Sequence, residues 1–179
     1  MTATYEVRRV GASRADQKRF IQLLWQLYQH DPNWVPPLIQ AQKELVGFRH
    51  HPFYDRNRCQ NFIVTNKGQT VGRITALVNV AHNERFKEKR GFFGFFECED
   101  DPQAAKLLFT EACRYLAEEG MTDVRGPVNP GLNYEVGLLV DGFDSPPTFL
   151  MTYNPPYYEP LIQGFGFEKC QDLYAYEGH

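Results

Sequence analysis

None of the four cysteines, Cys59, Cys98, Cys113 and Cys170, forms a C-x-x-C pair. The ligand spacing of a zinc site is therefore missing, no metal is expected, and the thiols read as free in a reducing compartment. No run of Lys and Arg stands out, and the formal charge is -3. This excludes general nucleic-acid binding, because phosphate contacts need clustered positive charge. No apolar run is long enough to span a bilayer, and the first residues lack a signal-peptide pattern. The expectation is a cytoplasmic chain with no membrane partner. There is no repeat at a solenoid period, no low-complexity tract and no linker. What is present is a 179-residue chain with 42% hydrophobic and 15% aromatic residues. That suffices for one domain, 1–179, with a substantial core.

The stretch Gly91 to Gly120 organises the chain. The run Phe92-Phe93-Gly94-Phe95-Phe96 places apolar side chains on both sides of a strand, as in a strand covered on both faces. Four acids follow: Glu97, Glu99, Asp100 and Asp101. Asp101 is placed as a helix N-cap and Pro102 as the first helical residue. Ala104, Leu107, Leu108, Ala112, Tyr115 and Leu116 then share one helical face, and Gly120 is the stop. In many α/β folds such a strand–turn–helix junction binds an anionic cofactor.

The remaining chain alternates element types. Tyr5 to Val10 reads as a strand, Ser13 opens a helix that ends at Asp31-Pro32, and a second helix covers about Leu38 to Phe48. Gln60–Asn66 and Thr70–Val78 read as a hairpin turning at Asn66-Lys67-Gly68-Gln69. Asn79 to Arg90 reads as a polar loop. Thr122–Val128 reads as a strand, Val136–Val140 as a short apolar segment, and Thr148–Tyr153 as another strand. A helix is expected to open at Asn154-Pro155-Pro156, with Pro160 in conflict with its hydrogen bonding, and to end at Gly164-Phe165-Gly166-Phe167. Phe167–Tyr176 completes the reading as a last strand. The order predicts α/β, a mixed, mostly antiparallel central sheet flanked by helices.

This order, together with NPPYYEPLIQGFGF at Asn154 to Phe167, resembles the GNAT superfamily, the GCN5-related N-acyltransferases. The phrases HPFY, VGRITALVN, GFFGFFE, VRGPVN, NYEVGLLVDGF and MTYNPPYY resemble the first half of a bacterial GNAT-like group about twice this length. The resemblance implies that acetyl-CoA or another acyl-CoA lies between the fourth and fifth strands. An amine, on a small molecule or a peptide, would attack its thioester. Phe96 and Cys98 on the strand and Gln103 at the helix start would then meet the cofactor. The family's pyrophosphate turn is Arg/Gln-x-x-Gly-x-Gly/Ala, whereas Glu97 to Ala104 contains neither glycine nor arginine, and Asp101 would occupy the amides a phosphate needs. The family's tyrosine, four residues before the Gly of Gly-Phe, maps to Ile162 or Pro160, so position alone carries over no catalytic tyrosine.

The same layout would bring Asn129, Asn133, Tyr134 and Glu135 near Asn154, Tyr157 and Tyr158. In one reading Asn129, Asn133, Tyr134, Asn154 and Tyr157 orient a polar substrate, and Glu135 as base and Tyr158 beside it are the catalytic candidates. In the other, the asparagines serve turns and the tyrosines cover the sheet. His50 and His51 read as part of a surface turn before Pro52. Two functions stay open: an acyl-CoA-dependent N-acyltransferase with a degenerate pyrophosphate loop, or a non-catalytic GNAT-like binding or assembly module. The superfamily usually has two strands after the late helix, and this chain has room for one. A second copy, forming a homodimer, or a second GNAT-like half is expected to cover that sheet edge.

Overall fold

A computed structural model describes residues 4–176. The elements, in order, are β1 (Tyr5–Val10), α1 (Arg14–Leu27), α2 (Ile39–Leu45), a 3-10 turn at Pro52–Asp55, β2 (Arg58–Asn66), β3 (Gln69–Val78), α3 (Val80–Phe86), β4 (Arg90–Cys98), α4 (Pro102–Glu118), β5 (Asp123–Arg125), β6 (Val128–Asn129), β7 (Glu135–Val136) and α5 (Tyr158–Phe165). Strands β1 to β5 form one sheet in chain order, antiparallel except for the parallel β4–β5 pair; β6 and β7 form a separate ribbon.

Each sheet face has its own cover. Phe62, Val64, Ile74, Phe93 and Phe96 pack with Leu108, Phe109, Leu116 and Leu161, so α4 and α5 close one side. On the other, Phe20 and Ile21 of α1 and Val46 beyond α2 meet Ile63 and Phe95. Both faces of the Phe run are buried, as its sequence requires.

One extra residue in β4 decides where its side chains go. Thr75 pairs with Gly94 but Arg73 pairs with Glu97, so two steps along β3 oppose three along β4. The bulge lies at Phe95, whose φ of 48° is in the left-handed region despite its side chain. Asn129 Oδ1 accepts the Phe95 N–H at 2.6 Å and holds the bulge. The alternation then resets. Phe93, Phe96 and Cys98 join the α4 side, while Phe95 joins the α1 side, and Glu97 is carried to that side as well.

The β4–β5 ladder covers only Arg90 to Phe92. Beyond it the chain stays against β4 as far as Phe95, whose N–H meets Asn129. The backbone crosses closely at Gly94, where an added Cβ would lie 1.9 Å from the Val128 carbonyl oxygen.

Four segments depart from the sequence expectation. Asn79–Arg90 contains a helix because the Asn79 side chain caps it, accepting from the His82 N–H at 3.0 Å. Thr148–Tyr153 forms no strand, and Phe149 is 91% exposed. Phe167–Tyr176 makes no strand over the described residues. The late helix starts at Tyr158 rather than Asn154, which puts Pro160 in the first turn, where a missing N–H costs no bond.

Gly94→Ala is expected to destabilise the protein by about 3 kcal/mol or more, because the methyl group meets fixed backbone rather than a yielding side chain. Urea unfolding of the two proteins checks this.

Candidate functional site

The bulge delivers Glu97 to a cluster of buried polar groups. Its Oε2 accepts two hydroxyl hydrogens, from Tyr158 at 2.7 Å and from Tyr28 at 2.9 Å. Its Oε1 lies 3.8 Å from a terminal nitrogen of Arg73. Arg73 shares the α1 side of β3 with Thr75, opposite Ile74, Ala76 and Val78. Its Nη1 donates to the Phe20 carbonyl at 2.9 Å, and its guanidinium lies 4.8 Å from the Phe20 ring centre. From the β6–β7 ribbon, Asn129 Nδ2 donates to Glu135 Oε2 at 3.3 Å. Asn129 therefore serves the bulge with one end of its amide and Glu135 with the other.

Arg73, Glu97, Asn129 and Glu135 line a cavity of about 80 Å³. Tyr28 and Gln42 add polar groups to its lining, and Trp34, Val35, Pro37, Pro147, Met151 and Tyr153 line it as well. Trp34 stacks on Tyr28 with ring centres 5.2 Å apart, and the Tyr153 hydroxyl donates to Asp31 at 2.7 Å. A larger groove of about 310 Å³ lies by the β2–β3 turn, lined by Arg19, Gln22, Gln26, Gln69, Thr70 and Glu99. No buried group points the chemistry there, so the smaller cavity is the candidate site.

One guanidinium here faces two carboxyls. Burial pushes the Glu97 carboxyl up; Arg73 and the two tyrosine hydroxyls pull it back. Burial also raises Glu135, against the Asn129 hydrogen bond and Arg73. Tyr158 is held well above its ordinary value by burial and then by the Glu97 charge, so its hydroxyl keeps its proton. Both carboxyls are thus shifted in the same direction, upward, which marks the cavity as a candidate for proton transfer.

The sequence candidates fall into separate groups. Asn129 and Glu135 are together at the cavity, and Tyr158 joins them through Glu97. The Tyr158 oxygen also accepts the Cys98 N–H at 2.9 Å, while the Tyr157 hydroxyl donates to the Cys98 carbonyl at 2.9 Å. The two tyrosines thus occupy the backbone groups on the open edge of β4. Asn154 is buried and brackets Leu139, accepting its N–H at 2.8 Å and donating to its carbonyl at 3.1 Å. Tyr134 turns toward His51, with ring centres 5.9 Å apart, and Asn133 is exposed on the loop. Phe96 stacks on Phe109 in the core, Cys98 is buried, and Gln103 is exposed. The Gln103 and Ala104 amides are taken by Asp101 Oδ1 at 3.0 and 3.1 Å, and Tyr5 donates to Asp101 Oδ2 at 2.7 Å.

Sequence reasoning did not single out Glu97, Arg73 or Tyr28 as site residues. Glu97 looks like the first member of the acidic turn, yet it is still within β4. The available signal was Arg73, the one charged residue in the otherwise uncharged VGRITALV. Among the described residues, no group of three or more His, Cys, Asp or Glu is placed to hold a metal ion. No described helix is long and apolar enough to cross a membrane.

No protein-family model matches the chain. A protein of Caulobacter vibrioides named bacterial ceramide synthase is 40% identical over 91% of the chain, and Protein YghO of Escherichia coli is 37% identical over 94%. The chain spans 43% of each of these relatives. Among solved structures, a tandem GNAT protein from the clavulanic acid biosynthesis pathway matches 91% of this chain and 43% of its own, with a TM-score of 0.60 at 11% identity. An aminoglycoside acetyltransferase from an uncultured soil metagenomic sample, solved with sisomicin, gives 0.57 at 11% identity over 98% and 96% of the two chains. The aminoglycoside N-acetyltransferase AAC(6')-Iy in complex with CoA gives 0.55 at 14% identity over 99% and 97%.

The raised Glu135 carboxyl sets a pH signature. The unfolded chain releases this proton at lower pH than the folded chain does, so between those points the unfolded state binds fewer protons and stability falls as pH rises. Glu135→Gln removes that loss. Its melting temperature relative to the parent protein should rise as the pH is raised from the ordinary glutamate range upward. Thermal melts across that range check this, and a constant difference would contradict it.

Proposed function

On the premise of its GNAT fold, we propose that this chain carries the site of an N-acyltransferase that moves an acyl group from an acyl-CoA to the amine of a long-chain acceptor. The observation that carries this is the pair of half-buried, raised carboxyls, Glu97 and Glu135, that share Arg73 in one cavity. The GNAT-fold neighbours support the reaction class, and one of them is a complex with CoA.

Each residue has a role in this reading. The acceptor arrives as an ammonium, which supplies the positive charge that one Arg73 between two carboxyls leaves wanting. Glu135 has a carboxylate oxygen outside the Asn129 bond and takes the proton that frees the amine. Arg73, Tyr28 and Tyr158 fix Glu97, and Glu97 holds Tyr158 as a proton-bearing hydroxyl at the β4 edge. The acyl-CoA supplies the thioester. Its diphosphate cannot use the α4 amides as the family pattern does, because Asp101 already accepts two of them. Contacts outside that turn must hold it.

The surroundings of the cavity support a long-chain acceptor. Leu38 is 79% exposed and Phe149 91%, with Val35, Ile39, Leu150 and Met151 exposed beside them in the chain. No charged residue occurs from Pro32 to Gln42 or from Ser145 to Tyr158. Exposed apolar side chains next in sequence to the cavity-lining Val35 and Met151 suit a contact with something apolar. The Caulobacter relative is named a ceramide synthase, and a ceramide is the amide of a long-chain amine.

The second reading, a non-catalytic half, is favoured by one observation: Tyr157 and Tyr158 already satisfy Cys98 on the open β4 edge. For either reading we place the chain in the cytoplasm, with a second GNAT-like half or a second copy against the short β5 edge. The shared fold with a tandem GNAT protein supports that arrangement.

Calorimetric titration of the full-length protein with acyl-CoA separates the two readings. The enzyme reading expects stoichiometric binding, and the absence of both binding and transfer to a long-chain amine would remove it. Glu135→Gln should lower kcat by roughly a hundredfold or more. Asp101→Asn keeps a capping side chain but removes its charge, and should tighten acyl-CoA binding about fivefold.

A further inference from the structure

Asn129 and Glu135 are register partners in the β6–β7 ribbon, so their side chains stand on the same face of it. Asn129 is also seated close against β4: a Cβ added at Gly94 would lie 2.8 Å from its Oδ1. Hydrogen-bond chemistry settles which end of the amide meets which neighbour. The Phe95 N–H can only donate, so the atom that meets it at 2.6 Å is the amide oxygen. The NH2 group is thereby turned to Glu135 Oε2 at 3.3 Å. An NH2 group can only donate, and it bonds more strongly to a carboxylate than to a neutral carboxyl.

The other neighbours of Glu135 give it no comparable partner. Burial works against its ionised form; the Asn129 bond and, after it, Arg73 of β3 work for that form. Glu97 of β4 is the like-charged neighbour, and it claims the same guanidinium at 3.8 Å. Tyr28 of α1, Tyr153 and Gln42 of α2 line the cavity as neutral groups. Arg73 is divided between two carboxyls, whereas the Asn129 NH2 is directed at one.

We propose that Asn129 is a positioning residue for the base: the bulge in β4 orients its amide, and the amide holds one oxygen of Glu135 and keeps the carboxyl ready to accept a proton. This deepens the reading of Glu135 as base and rests on it. Asn129 acts through Glu135 rather than on the acceptor, so its influence shows in the pH at which Glu135 works.

Two variants of the full-length protein test this. Asn129→Asp keeps the oxygen that Phe95 needs and places a second, charged oxygen where the NH2 stood. The Phe95 N–H favours charge on that new carboxyl, which leaves a shared proton to Glu135. Asn129→Ser removes the contact to Glu135 and adds no charge. The proton is followed by carbon-13 NMR of the labelled Glu135 carboxyl, with Glu135→Gln assigning the signal. Its titration midpoint should move to higher pH in Asn129→Ser and further up in Asn129→Asp. The low-pH limb of kcat/KM for transfer from acyl-CoA to a long-chain amine should move in the same order. A side chain that only braced the strand would lower stability or kcat and leave both midpoints in place. An NMR midpoint that stays, or moves down, in a folded variant overturns the inference; if Asn129→Asp does not fold, Asn129→Ser decides it alone. An NMR midpoint that moves while the kcat/KM limb does not, or in a protein that transfers no acyl group, counts against Glu135 as base and leaves its control by Asn129 standing.

Discussion

The whole site depends on a guanidinium removed from water. Arg73 is 1% exposed, and at that depth its charge is tolerable only with opposite charge and hydrogen-bond acceptors around it. Phe20 supplies a carbonyl and a ring face, Glu97 supplies a carboxylate, and Glu135 adds its field. Removing either partner of a buried pair leaves the other charge uncompensated, which typically costs about 3–5 kcal/mol. Arg73 thereby ties β3, β4 and α1 together, and it is the reason two carboxyls can share one small cavity. An apolar core would hold the fold equally well, so this much buried charge points to chemistry rather than to stability.

The backbone prepares the place for that charge. Without the extra residue at Phe95, Glu97 would follow the parity of Phe93 and face α4, in a cluster made of Leu108, Phe109 and Phe96. The inserted residue reverses the parity for the last part of β4, and the carboxylate meets Arg73 instead. At the far end of the same strand, the Cys98 N–H and carbonyl are met by Tyr158 and Tyr157 rather than by a β5 partner. The placement of Glu97 and its pairing with Arg73 follow from one departure from regular strand geometry.

The sequence made the scaffold legible. Alternation marked β1, the turn at Asn66-Lys67-Gly68-Gln69 marked β2 and β3 as a hairpin, the Phe run marked β4 as buried on both faces, and Asp101-Pro102 marked the start of α4. What it hid were effects of register and of distance along the chain. Glu97 precedes three more acids and looks like part of a solvated turn, yet one bulge separates it from them in function. Tyr28 and Glu97 lie 69 positions apart, and nothing local marks them as partners. Asn79 is read as loop until its side-chain Oδ1 is seen capping α3. The tail from Phe167 has the alternation of a strand but no neighbour to pair with among the described residues. Of the polar cluster, Asn129, Glu135 and Tyr158 converge because β6, β7 and α5 all reach the β4 edge. Asn154 and Tyr134 are drawn off by backbone at Leu139 and by the His51 ring.

Asn129 leaves a last consequence. One planar amide holds the kinked backbone of Phe95 with its oxygen and the Glu135 carboxylate with its nitrogen. Its two ends cannot rotate independently. Mechanical strain in the strand and the electrical state of the acid are thus carried by the same rigid lever, and any substituent that tips it must retune both together.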